Sequence, residues 1–165
     1  MIRVLYLAIA ILAFIELYSV GVMLLAKKAG ESDYKMCLIP FYAFYMTNRL
    51  TGTFAVLTIP VKKFHGMMAI LTAVVLGATL YACWGDNNLP TISAESLWQI
   101  MGVVIGLCAF LAWFAIFASS RKLFRRFNVN KEKTFTAIAA LVVPAPILYA
   151  YVAKTHSPRA LKDMY

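Results

Sequence analysis

Charge is what this sequence has least of. Only 14% of its 165 residues are charged, and only seven are carboxylates. A water-soluble domain keeps about 25% charged residues, so a hydrated surface on all sides is excluded. Cysteine is also scarce. Cys37, Cys83 and Cys108 lie far apart with no C-x-x-C spacing, which excludes a disulfide framework and a thiolate metal site. The two histidines, His65 and His156, have no ligand companions near them in sequence. There is no H-E-x-x-H, no aspartate pair within an apolar run, no G-x-S-x-G and no glycine-rich phosphate loop. Ser119 and Ser120 beside Lys122 fall on a basic stretch where such neighbours are common, so they define no Ser–Lys dyad. The expectation is a protein that is not an enzyme, with no metal and no cofactor.

What the chain has in abundance is apolar length. Hydrophobic residues make up 62% of it, and the mean hydropathy is +0.77. They gather into long runs, which implies one all-α integral membrane domain over residues 1–165, multi-pass in a cell membrane. The net charge of +9 would point to nucleic acid in a soluble protein. Here it fits the Lys/Arg excess of cytoplasmic loops and their attraction to anionic lipids, and no nucleic-acid partner is expected.

Four transmembrane helices are expected, over residues 2–26, 65–84, 97–118 and 135–153. The first run is apolar apart from Arg3 and Glu16. It would make about 37 Å of helix, enough to span with tilt. It is too long for a signal-peptide core and lacks a small-x-small cleavage site, so it reads as a span. The loop 85–96 holds Asp86 and Glu95 but no Lys or Arg, whereas the loop 119–134 holds six basic residues between Arg121 and Lys133. The positive-inside rule therefore puts 85–96 outside and 119–134 in the cytoplasm. Trp84 and Trp98 flank the outer loop, as an interfacial belt would.

Residues 36–60 are the awkward stretch. Lys27, Lys28 and Lys35 before it, and Lys62 and Lys63 after it, all favour the inside. A segment with both ends on one face does not cross. Asn48 and Arg49 near its middle argue the same way, because a central arginine is costly in lipid. We expect a re-entrant or interfacial helix–turn–helix, broken near Asn48–Gly52 and bounded by Pro40 and Pro60. The alternative is a fifth span that moves Lys62 and Lys63 outside. Four spans put both termini outside, against the lean of Arg3, Lys154, Arg159 and Lys162.

Small residues recur at helical spacing. Ala69, Ala73 and Gly77 form one stripe, and Gly102-x-x-x-Gly106 with Ala109 and Ala112 forms another. Such stripes let backbones approach in lipid, either within the hairpin or across a homodimer. Arg121, Lys122, Arg125 and Arg126, set against Leu123, Phe124 and Phe127, make a basic juxtamembrane helix suited to anionic headgroups or serving only to fix topology. Pro144 and Pro146 would kink the last span or split it around a binding site.

Residues 28–52 read KAGESDYKMCLIPFYAFYMTNRLTG. This pattern, K-A-G followed by I-P-[FY]-Y-x-x-Y, resembles a family of small bacterial membrane proteins of unknown function, some of whose members are fused to signal peptidase I. The matching residues are Lys28, Ala29, Gly30, Ile39, Pro40, Tyr42 and Tyr45, with Gly52 after the short helix. Ala43 stands where the family usually has asparagine. The resemblance implies a bacterial polytopic membrane protein and implies no activity.

One carboxylate, Glu16, falls inside a span, about 16 Å of helix from Lys27. The cost of a carboxylate in lipid places it against protein, with Arg49 the first candidate partner and His65 the second. It would serve a subunit contact, proton or cation coupling, or simply helix register. The expected function is a non-catalytic subunit, anchor or scaffold in a larger membrane assembly, with other membrane subunits or further copies as partners. The alternative is a small oligomeric transporter or channel using Glu16 and the re-entrant segment as its pathway.

Overall fold

The computed structural model describes residues 2–39, 41–56, 59–88, 94–130, 132–139 and 145–158. Pro40 and Pro144 lie outside the described residues, as do the side chains of Trp84, Asp86 and Glu95. The chain is mostly helical: α1 (Ile2–Lys28), α2 (Tyr42–Thr51), α3 (Phe64–Asn88), α4 (Ala94–Arg126), α5 (Glu132–Ala139) and α6 (Ala145–Thr155). A 3-10 turn, Tyr34–Leu38, precedes α2, and strands β1 (Phe54–Val56) and β2 (Ile59–Val61) follow it. Among the described residues three stretches are long and apolar enough to cross a membrane: Ile9–Lys28, Phe64–Tyr81 and Trp98–Arg126.

Where the fourth span is expected, the described residues form two short helices, and residues 140–144 between them lie outside the described residues. α5 has 8 residues and α6 has 11, roughly 12 and 16 Å at 1.5 Å per residue, neither long enough to cross alone. Pro146 is the second residue of α6, where its missing N–H costs nothing; farther into a helix it would break the ladder. α6 lies along α1 in the same direction. Pro146 lies against Gly21, while Ala150, Ala153 and Lys154 share a pocket with Leu24, Lys27 and Lys28. Phe135 of α5 stacks on Tyr151 of α6 at 6.0 Å, so the two helices are not parts of one continuous helix.

The 36–60 segment is also corrected in part. It holds one ten-residue helix, but a β-hairpin follows instead of a second helix. β1 and β2 pair antiparallel with Phe54 opposite Val61 and Val56 opposite Ile59. Phe54, Val56 and Val61 are buried while Ala55 and Pro60 are exposed, the period-two pattern of a strand covered on one face. Pro60 sits on a strand of a two-stranded sheet, where a missing donor is tolerated.

Helix ends are set by local chemistry. Gly30 takes a left-handed conformation (φ 79), with its N–H donating to Lys27 O and Glu31 N–H donating to Ala26 O. That closure satisfies two otherwise orphaned carbonyls of α1. Asn128 (φ 56) closes α4 in the same way, through Asn128 N–H to Arg125 O and Val129 N–H to Phe124 O.

The core gathers at the basic end. Rings touch in an unbroken series: Phe54–Phe64, Phe64–Phe44, Phe44–Tyr18, Tyr18–Tyr149, Tyr149–Phe124, Phe124–Phe135 and Phe135–Tyr151, with centroids 4.8 to 6.0 Å apart. The series joins β1 and every helix. Each such pair adds about 0.5–1.5 kcal/mol beyond area burial. Away from this end α3 and α4 keep most of their apolar surface exposed, as lipid-facing helices do.

Candidate functional site

The face of α1 is divided cleanly. Ile15, Tyr18, Ser19, Val22, Leu25 and Ala26 are buried against the rest of the chain. Ile9, Leu12, Ala13, Glu16, Leu17 and Val20 are exposed. Leu17, beside the carboxylate, is 60% exposed. Glu16 thus points away from the protein in the middle of a span, and it has no hydrogen bond or ion pair among the described residues. The placement against protein expected for Glu16 is not met by any described part of this chain. Arg49, the first candidate partner, instead binds Glu31 at 3.0 Å and Asp33 at 3.3 Å through its guanidinium. These contacts, Glu31 foremost, raise the Arg49 pKa further above its ordinary value. His65 packs edge-on to Tyr45 with ring centroids 5.5 Å apart.

Asn48 is structural on its donor side: its Nδ2 donates to Lys62 O at 2.7 Å and ties α2 to the start of α3. Its Oδ1, and Nδ1 of His65, are enclosed without a hydrogen-bond partner among the described residues. The basic helix end also turns inward in part. Arg126 is buried and donates to Leu50 O, and Lys122 donates to Thr53 O. Arg126 therefore satisfies a carbonyl in the last turn of α2, where a cation also suits the helix dipole, and Lys122 one just beyond it. Arg126 is withdrawn from the headgroup role by its burial. Arg121 and Arg125 remain exposed.

The small-residue stripes do not pack the hairpin. A Cβ on Gly77, Gly102 or Gly106 would meet no heavy atom within 4 Å. Ala73 is exposed and Ala69 half-buried. The close approach is made elsewhere, at Gly21, where a Cβ would lie 2.9 Å from Pro146 O.

Of the motif residues, Lys28 and Gly30 end α1, while Tyr42 and Tyr45 pair their rings at 5.3 Å on the first turn of α2. Sequence reasoning missed the buried hydroxyl pairs: Tyr18 with Thr47 at 3.0 Å, and Ser120 with Tyr149 at 2.5 Å. Their signal was available as polar residues on the buried stripe of otherwise apolar helices. A further cavity of about 420 Å³ opens between α1, α3 and α4, walled by Leu7, Phe14, Leu71, Val75, Ile105 and Trp113 among others. Its walls are mostly apolar, with the Thr72 hydroxyl and the Cys108 thiol among them. Among the described residues no three His, Cys, Asp or Glu side chains could hold a metal.

What the fold and these sites define is a mostly helical protein with three membrane-length apolar helices among its described residues. Family models, curated proteins and solved structures gave no match to the chain.

Proposed function

We propose that this chain is a non-catalytic subunit or scaffold of a membrane protein assembly, and that the outer face of α1 is where a partner docks. The observation that carries this is Glu16. A carboxylate at the middle of a helix costs roughly 3 kcal/mol to insert when nothing compensates it. The chain offers Glu16 no partner among its described residues, so a hydrogen-bonding or cationic group from another subunit is the natural compensation. The exposed glycines of α3 and α4 offer that partner, or a neighbouring copy, a second place for close backbone approach.

The membrane arrangement belongs to the same proposal. Ile9–Lys28, Phe64–Tyr81 and Trp98–Arg126 cross. The segment between α1 and α3, and the α5–α6 pair, both return to the cytoplasmic face. The N-terminus then lies outside and the C-terminus inside, so Lys154 joins the other inward lysines. This arrangement relieves the conflict with the positive-inside rule at Lys154, Arg159 and Lys162 and leaves it at Arg3. A pathway reading would instead set Glu16 in a passage between identical copies.

The test is site-specific photo-crosslinking in native membranes. A photoreactive residue at Leu17 should capture one defined polypeptide of another kind, and Glu16→Leu should reduce that capture severalfold. Capture of nothing but lipid at Leu17 would sink the docking face, and capture of the same chain alone would favour the pathway reading.

A further inference from the structure

We propose that the pocket between the C-terminal ends of α1 and α6 binds the phosphate of an anionic lipid headgroup. Lys27 and Lys28 end α1, and Lys154 lies in the last turn of α6. With Leu24, Ala150 and Ala153 they line one cavity of about 520 Å³. Because α6 lies along α1 in the same direction, ammonium groups from two helices reach the same level of the molecule. Favourable placement at a helix C-terminus explains a lysine on each helix. It leaves uncompensated the repulsion among three like charges around one cavity.

The acids that follow α1 are already engaged. Glu31 lies 3.0 Å and Asp33 3.3 Å from the Arg49 guanidinium. Among the residues whose side chains are described, no ion pair joins a carboxylate to Lys27, Lys28 or Lys154. Lys27 has only the Tyr34 ring, at 5.9 Å from its centroid. No described carboxylate neutralises the pocket, which suits it to an anion supplied from outside the chain.

Position selects its class. The candidate span of α1 ends at Lys28, so the pocket sits where apolar helix meets the headgroup layer. Leu24 and the two alanines give it an apolar wall, which suits the glycerol and first methylenes of a phospholipid. A free phosphate ion shares the same oxygens but has no use for that wall. Basic pockets between helices at this level are a recurrent way of holding anionic lipid.

The test uses the full chain, delipidated in non-ionic detergent, and native mass spectrometry during titration with phosphatidylglycerol, phosphatidylcholine or inorganic phosphate. Phosphatidylglycerol should be retained at concentrations where phosphatidylcholine is not. Lys154→Gln should weaken it about fivefold, the triple Lys27→Gln, Lys28→Gln, Lys154→Gln variant roughly a hundredfold, and Lys154→Arg should restore it. Undiminished retention by the triple variant, with unchanged circular dichroism, would overturn the site. Inorganic phosphate that binds the wild type and not the triple variant, with the two lipids bound alike, would overturn the lipid assignment and give the pocket to a soluble phosphate.

Discussion

Replacing Gly21 by alanine probes the contact on which the path of the C-terminal segment depends. The added methyl would lie 2.9 Å from Pro146 O, 3.1 Å from Pro146 Cα and 3.2 Å from Tyr149 Cβ. Two of those atoms are backbone, so no rotamer change relieves them. α6 has to move outward by a few tenths of an ångström. Tyr149 moves with it, and Tyr149 holds Ser120 and packs on Tyr18 and Phe124. Overpacking of this kind costs about 1–3 kcal/mol. Alanine recovers about 1 kcal/mol of helix propensity over glycine. The net loss is about 0–2 kcal/mol, at most roughly 8 °C in melting temperature for a chain of this size.

The assay is thermal unfolding in detergent, read by the loss of the monodisperse peak, with Gly77→Ala and Gly102→Ala as references. Those two glycines have open space around them, so only propensity acts and the melting temperature should hold or rise. If Gly21→Ala rises as the references do, α6 does not pack on α1, and the parallel arrangement of the two helices fails.

Other consequences are as direct. Arg126→Met leaves Leu50 O without its donor and should cost about 1–3 kcal/mol in the same assay, whereas the exposed Lys35→Gln should be neutral; equal melting of the two would refute the cap. Burial pushes the Cys37 thiol up to about 11. With Cys83 and Cys108 replaced by alanine, maleimide labelling at pH 8 should be about a hundredfold slower in folded than in denatured protein, and should climb as pH approaches that value. The fold favours the protonated thiol, so its contribution to stability is present below the ordinary thiol range and is lost as pH rises through about 11. Fast labelling at pH 8 would show Cys37 open. Arg49→Ala, which removes exposed ion pairs, should leave the melting temperature unchanged in high salt; a large loss there would make the pair structural. A cysteine at Ser157 should label from the same side as one at Lys62 and from the opposite side to one at Asn88. Labelling of Ser157 with Asn88 would restore a fourth crossing.

Composition and charge placement were enough to read three membrane-length helices, because apolar length and lysine position are local properties of the chain. The division into α5 and α6 was not readable. Residues 135–153 are apolar throughout, and hydropathy counts apolar residues without registering where a helix stops. Pro146 was a visible breaker, but its partner Gly21 lies in another helix. The β-hairpin left a signal in the alternation Phe54, Val56, Ile59, Val61 and in Pro60, which a helical reading of the segment passed over. The glycine stripes show the limit most clearly. Spacing identifies small residues on one helix face, but only tertiary packing shows whether that face meets a neighbour. Glu16 was visible as an isolated acid, and its outward direction depends on which face of α1 carries Tyr18, Val22 and Leu25.

The proposal stands on Glu16 meeting another subunit. The most direct measurement is the mass of the intact particle extracted from native membranes in mild detergent, for the wild type and for Glu16→Leu. The account predicts stoichiometric foreign subunits with the wild type and their loss, with the chain still folded, in the variant. A wild-type particle made of this chain alone, unchanged in mass by Glu16→Leu, would contradict it.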